Sequence, residues 1–121
     1  MVYPFGEHMT LQQLLEAVID AWRAGDAHRA SAFFTPDGTY QEMGREPIAG
    51  RDAVYEHFQH FFRDGPLWRF DVEEVLVQGD RAAVCYRFAV KGSGEAWRER
   101  AGCAIVHRSG GLIGQWREYH G

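Results

Sequence analysis

The chain has 121 residues, 13 lysines and arginines against 17 aspartates and glutamates, and a formal net charge of −4. That is the length of one domain, 1–121, and the mild acidic excess argues against a surface that tracks phosphate backbones, so nucleic acid is not an expected partner. No apolar run approaches membrane-spanning length, the first ten residues show neither the basic nor the apolar part of a secretory leader, and Cys85 and Cys103 are the only cysteines. The expected setting is the cytoplasm, with reduced thiols and no membrane contact.

In chain order, Thr10 and Gln13 have capping-box spacing and Met9 and Leu14 stand at hydrophobic-staple positions. Leu11, Leu14, Leu15, Val18 and Trp22 then recur at helical spacing until Gly25 supplies a stop. Asp26 caps a second, shorter predicted helix through Ala27, Ala30, Phe33 and Phe34, which Pro36 ends, and Thr35-Pro36-Asp37-Gly38 reads as a turn. A short strand over 39–43 places Tyr40 and Glu42 on one face, and 44–50 reads as a loop. A third helix is expected over 51–62, with Val54, Phe58, Phe61 and Phe62 as its apolar stripe, broken by Asp64-Gly65-Pro66.

Beyond Leu67 the helical period gives way to alternation. Trp68, Phe70 and Val72 alternate, the Glu73-Glu74 pair interrupts the register as a bulge would, and Gly79-Asp80 is a two-residue hairpin turn. In 81–90, Ala82, Val84, Tyr86, Phe88 and Val90 share one face. A final hairpin turns at Ser109-Gly110-Gly111, with Arg98, Arg100, Gly102, Ala104 and Val106 on one face of the first strand and Leu112, Gly114, Trp116, Glu118 and His120 on one face of the second. The fold class is α+β, with helices on one side of a curved, mostly antiparallel sheet. Apolar residues on both faces of the long strands leave the outer face in need of a cover, and a homodimer through the sheet is the economical one.

The hairpin suggests a site. A carboxylate among small and apolar neighbours needs a partner, and Arg100 is the candidate for Glu118. With Glu42, two carboxylates bridged by one guanidinium could split acid and base roles, because desolvation raises a carboxyl pKa and a nearby arginine lowers it. A structural ion pair fits the same trio, and for Glu42 a solvated carboxylate on a short strand fits as well. Tyr40 reads either as a hydrogen-bond donor in the site or as a core residue with its hydroxyl at the rim. Trp22, Phe58 and Phe88 supply the aromatic wall, and Trp116 reads as wall or core. His57 and His60, one helical turn apart, lack further ligands and read as a solvated helix face, so no metal is expected. His120, near the end, reads as frayed.

The order of elements, the Tyr40-x-Glu42 strand, the Gly50-Arg51-Asp52 before the third helix and the closing Trp116-Arg117-Glu118-Tyr119 together resemble the SnoaL-like branch of the nuclear-transport-factor and ketosteroid-isomerase superfamily. The resemblance covers nearly the full chain and implies a cone-shaped mixed sheet wrapped around three N-terminal helices. Within that branch the pattern is similar to limonene epoxide hydrolase, matching its tyrosine with Tyr40, its arginine with Arg100 and its final acid with Glu118. Two positions depart: Glu42 stands in place of an asparagine, and Gly102 in place of the acid that protonates the opening epoxide. The resemblance implies an enzyme without cofactor, in which Glu118 is the base, Arg100 orients it, and Glu42 or Tyr40 supplies a proton or hydrogen bond to a small apolar carbonyl or epoxide compound. A module of the same fold that only binds a small molecule or dimerises is the alternative.

Overall fold

The computed structural model describes residues 9–120; the segment read for targeting signals lies largely outside that range. Helix α1 (Leu11–Arg23) starts where the sequence places its cap: the Thr10 hydroxyl accepts from Gln13 N at 3.1 Å, and the Gln13 side chain accepts from Thr10 N at 2.9 Å. Such a reciprocal pair satisfies two otherwise orphaned donors, and losing the cap side chain costs about 1 kcal/mol. Gly25 leaves the helix at φ +68, a conformation that side chains resist, and Asp26 then caps α2 (Ala27–Ala32) through Arg29 N.

The chain turns extended earlier than the apolar spacing suggests. Phe34 belongs to strand β1 (Phe34–Glu42) rather than to a helix, and Thr35-Pro36-Asp37-Gly38 is an irregular stretch within that strand rather than a turn. Proline pushes the preceding residue out of the α region, so the break takes effect before Pro36 itself, and Ile113 N donates to Phe33 O at 2.8 Å to draw the chain onto the sheet. Gly38 lets β1 approach its neighbour, since a Cβ there would lie 2.9 Å from Ile113 O. The expected loop over 44–50 contains a two-residue strand, β2 (Ile48–Ala49). Helix α3 (Arg51–Asp64) follows and ends at Gly65.

Four long strands complete the domain: β3 (Leu67–Gln78), β4 (Arg81–Lys91), β5 (Arg98–Ser109) and β6 (Leu112–His120). They form one six-stranded sheet in the order β2-β1-β6-β5-β4-β3, in which β1 and β6 run parallel and all other neighbours antiparallel. The sheet is curved and unclosed, and the fold is the α+β cone that the resemblance implies. Register shifts between Val72 and Glu74, the bulge expected at the glutamate pair. A second irregularity was not expected. Between His107 and Arg108 the register slips, so that Ile113 is fully buried while Leu112 is only partly covered, reversing the parity assigned to the start of β6. From Trp116 onward the expected face is restored.

Helices and concave sheet face enclose one core, in which Leu14, Leu15, Val18, Phe33, Phe34, Val54, Val84, Val106, Ile113 and Trp116 are essentially inaccessible. Two arginines bolt helices to strands by donating to single carbonyls: Arg23 to Phe70 O at 2.8 Å, and Arg51 to Phe34 O at 2.7 Å. Because a guanidinium presents a fork of donors, one oxygen takes two bonds from it and the helix ends are held against rotation. On the outer face Cys85 and Cys103 are cross-strand partners, their unbridged sulfurs 4.0 Å apart. No described helix is long and apolar enough to cross a membrane.

Candidate active site

Between α1, α3 and the concave face of β1 and β3–β6 lies a cavity of about 510 Å³, within the range of roughly 300–1,000 Å³ usual for small-molecule sites. Its wall is aromatic. Trp22 meets Phe58, Phe70 and Trp116 edge to face at centroid distances of 5.6, 5.5 and 4.9 Å, and Phe62 stacks on Trp68 at 5.9 Å nearer the end of α3. Trp22, Phe58 and Phe88 line the cavity. Trp116 does not: it is fully buried behind the wall, because the Trp22 ring packs over it.

Glu118 sits at the floor, 7 % exposed. Alternation along β6 turns it to the same side as Trp116, and the parallel pairing with β1 sets Tyr40 beside Trp116 and Glu42 beside Glu118. Two neutral donors converge on one carboxylate oxygen: the Tyr40 hydroxyl donates to Oε2 at 2.8 Å and the Trp116 indole N–H donates to the same atom at 2.9 Å. Among the described residues nothing donates to Oε1, which is left to the cavity.

Burial pushes the Glu118 carboxyl up to about 7; the bonds from Trp116 and Tyr40 pull it down and the charge of Glu42 raises it further. Tyr40 holds its proton far more tightly than a free phenol, through burial and then through the Glu118 charge. A tyrosine so placed keeps donating to the carboxylate and is not a proton source for anything else.

The expected Arg100–Glu118 pair does not form. Ala104 lies opposite Glu118 and Arg100 opposite Phe88, so the guanidinium starts four residues, about 13 Å of strand, from the position across from the acid. Arg100 is exposed and joins Arg45, Arg98 and Glu99 on the charged part of the lining, and no salt bridge to it occurs among the described residues. Glu42 is half-buried and also lines the cavity, so it is not the fully solvated carboxylate of the blander reading.

Two residues dismissed on sequence grounds belong to the cavity. His57 is half-buried with its ring 5.3 Å from that of Tyr40, and burial lowers its pKa. His120 is not frayed: it pairs with Gly102, lines the cavity, and its Nε2 lies 3.0 Å from the Tyr86 hydroxyl. His57 left a signal in the sequence, since it stands three residues after Val54 and four before Phe61, within the apolar stripe of α3. His120 left only its parity with Glu118. The indole N–H of Trp22 is buried without a partner among the described residues, an orphan that an oxygen in the cavity could satisfy. No three His, Cys, Asp or Glu side chains among the described residues are grouped to hold a metal ion.

An α+β cone whose helices close the concave side of an open sheet over an aromatic cavity is the nuclear-transport-factor-like, ketosteroid-isomerase-like fold. The chain belongs to the SnoaL-like domain family, whose model matches residues 15–116 and ends two residues before Glu118. Among solved structures it is similar to an LEH-like epoxide hydrolase from M. tuberculosis, at 17% identity and TM-score 0.79 over 90% of this chain and 80% of that one. A protein of ketosteroid isomerase-like fold from Catenulispora acidiphila, solved in complex with trimethylamine, aligns at 16% identity and TM-score 0.80 over 91% and 86%. An NTF2-like protein from Cytophaga hutchinsonii aligns at 14% identity and TM-score 0.77 over 94% and 92%. Likenesses at these identities establish the fold alone. No curated protein matches the sequence.

Proposed function

We propose that the chain is a cofactor-independent acid/base enzyme of isomerase, cyclase or epoxide-hydrolase type, acting on a small apolar molecule that carries a carbonyl or an epoxide. The observation that carries this reading is Glu118: a buried carboxyl raised to about 7, anchored through one oxygen and open to an aromatic cavity through the other. A group with that affinity for protons accepts and returns one with comparable ease near neutrality. On a carbonyl compound, Glu118 removes a proton from the adjacent carbon, the C–H electrons form the enolate, and the protonated acid returns its proton at the far end of the conjugated system. On an epoxide, it takes a proton from water while the water oxygen attacks a ring carbon and the C–O bond breaks toward the oxygen; the alkoxide so formed then takes a proton from the protonated acid, directly or through solvent, which gives the diol and restores the carboxylate.

In this reading Tyr40 and Trp116 position the base rather than donate to substrate. Trp22, Phe58 and Phe88 hold the apolar body of the ligand, Glu42 raises the affinity of Glu118 for its proton, and Arg100 contributes charge at the rim. The test is turnover of a panel of cyclic enones and apolar epoxides by wild type and Glu118→Gln. Loss of turnover in the variant supports the reading, and equal rates in a folded variant eliminate it.

A second reading, a protein that binds the same class of ligand without transforming it, is favoured by Gly102, which brings no side chain, and by the engagement of the Tyr40 hydroxyl with Glu118. Saturable binding of the panel with no product formed by wild type would select it. In either case a second copy is proposed to cover the outer sheet face, where Leu76, 58 % exposed, continues a row through Ala83 and Ile105. The cytoplasm is the proposed location, since a chain with two cysteines has no disulfide framework that requires an oxidising compartment.

A further inference from the structure

Either reaction on Glu118 develops negative charge on an oxygen at the other end of the ligand, and such charge needs a hydrogen-bond donor waiting for it. Tyr40 is engaged with the base, and Gly102 has no side chain. What Gly102 does have is room. A Cβ at that position would lie 2.7 Å from His120 Cδ2 and 2.7 Å from both Cε1 and Cζ of Tyr86, closer than a Cβ is ever found. Tyr86, Gly102 and His120 are in register across β4, β5 and β6. The bare Cα of the middle residue is what lets the two rings close over it from either side.

The result is a fixed imidazole. The Tyr86 ring is fully buried, stacks on Phe70 at 4.4 Å, and holds its phenolic proton well above the usual range because of burial and the Glu118 charge. A buried hydroxyl proton needs an acceptor, and the group in reach is His120 Nε2 at 3.0 Å. Accepting at Nε2 puts the single proton of the neutral ring on Nδ1. With Cδ2 turned to Gly102 and Nε2 to Tyr86, Nδ1 is the vertex of the ring opposite that edge, pointing away from both. No described residue bonds it, and His120 lines the cavity. Burial and the charge of Arg100 favour the neutral ring, against a smaller opposing effect of Glu42.

We propose that His120, oriented by Tyr86 over the notch at Gly102, is the oxygen-binding residue of the cavity, its Nδ1–H donating to the carbonyl or epoxide oxygen of a ligand whose reacting carbon or attacking water meets Glu118. The two side chains leave β6 on the same face two residues apart, about 7 Å of strand, which suits a ligand with a few bonds between its oxygen and its reacting end. Tyr86 is a positioning residue and Gly102 a packing one. The inference rests on the proposed reading for its ligand class, but it is tested by binding rather than by turnover.

The experiment pairs two probes of one shape, cyclohexanone and methylenecyclohexane, which differ in the oxygen, with ring-¹⁵N spectra of the histidines. Wild type should bind the ketone roughly tenfold tighter than the alkene, the size of one neutral hydrogen bond, and His120 should show one neutral tautomer protonated at Nδ1. His120→Phe should erase the preference while keeping alkene affinity, Gly102→Ala should erase it by forcing the Tyr86 and His120 rings off the notch, and Tyr86→Phe should turn the spectrum into a tautomer mixture. Glu118→Gln should keep the preference while losing turnover, which separates failure of this inference from failure of the catalytic reading. Equal affinities for the two probes, including none measurable for either, or a His120 protonated at Nε2, would overturn it.

Discussion

The floor and the rim of the cavity carry the same kinds of charged residue and treat them in opposite ways. At the floor, one carboxylate is nearly removed from water and is held by a phenol and an indole, both neutral and both fully engaged. At the rim, Arg98, Glu99 and Arg100 are exposed, and Glu99 is met from outside the cavity by Arg87, which also reaches Glu73, at 3.2 Å each in contact with solvent. Burying a guanidinium beside Glu118 would have balanced its charge and held its pKa low; burying neutral donors fixes its position and lets desolvation raise it. The difference teaches that this acid is placed to exchange protons, whereas the rim charges are placed to meet water and polar groups.

The largest effect that would break this contrast is on rate. Glu118→Gln keeps an oxygen for Tyr40 and Trp116 but cannot take a proton, so turnover should fall at least about 100-fold, measured as initial rates on the enone and epoxide panel. Wild-type rate should rise through a midpoint near 7 as Glu118 ionises.

Stability gives the next largest effect. A carboxyl raised from 4.5 to about 7 on folding imposes nothing below the unfolded value, where it is protonated in both states, and costs the folded state progressively as pH rises from 4.5 to 7, levelling off above. Glu118→Gln removes that cost. Urea unfolding should show the variant more stable than wild type by up to roughly 3 kcal/mol above pH 8, with the advantage shrinking toward pH 4.5.

Tyr40→Phe sharpens the contrast. Removing a donor to the charged form should move the rate midpoint upward by about one unit, and Trp116→Phe should do the same while destabilising the fold by about 1–3 kcal/mol. The smallest effect belongs to the rim. Arg100→Ala should change rate a few-fold at most and leave the midpoint in place; a midpoint that moves with Arg100 would erase the distinction between the two regions.

Much of the fold was legible because its signals are local. Thr10 with Gln13, Asp26, Gly25, the Glu73-Glu74 bulge and the glycine turn at 110–111 each act within a few residues; the helix ends and the last hairpin turn stand where these residues put them, and β3 shifts register at the glutamate pair. Phe34 was misplaced because its apolar spacing continues that of α2, while the force that pulls it onto the sheet comes from Phe33 O and Ile113, eighty residues apart. At the site, the inward direction of Glu118 followed from strand parity, but its partner did not. Parity says which residues share a face and not how far apart they lie; counting outward from the 110–111 turn would have set Ala104, or a residue beside it, across from Glu118 and ruled out Arg100. Tyr40 and Trp116 as holders of the acid depend on the parallel β1–β6 pairing, for which no hairpin turn leaves a mark. Gly102 reads in sequence as a missing acid and in space as the gap that admits Tyr86 and His120.

The central claim is that Glu118 exchanges its proton near neutrality with no cation paired to it among the described residues. Carboxyl ¹³C shifts of glutamate-labelled protein followed from pH 3 to 9, with Glu118→Gln to assign the resonance, measure this directly. One glutamate should titrate near 7 and vanish in the variant; a Glu118 resonance that titrates at or below 4.5 would contradict the claim.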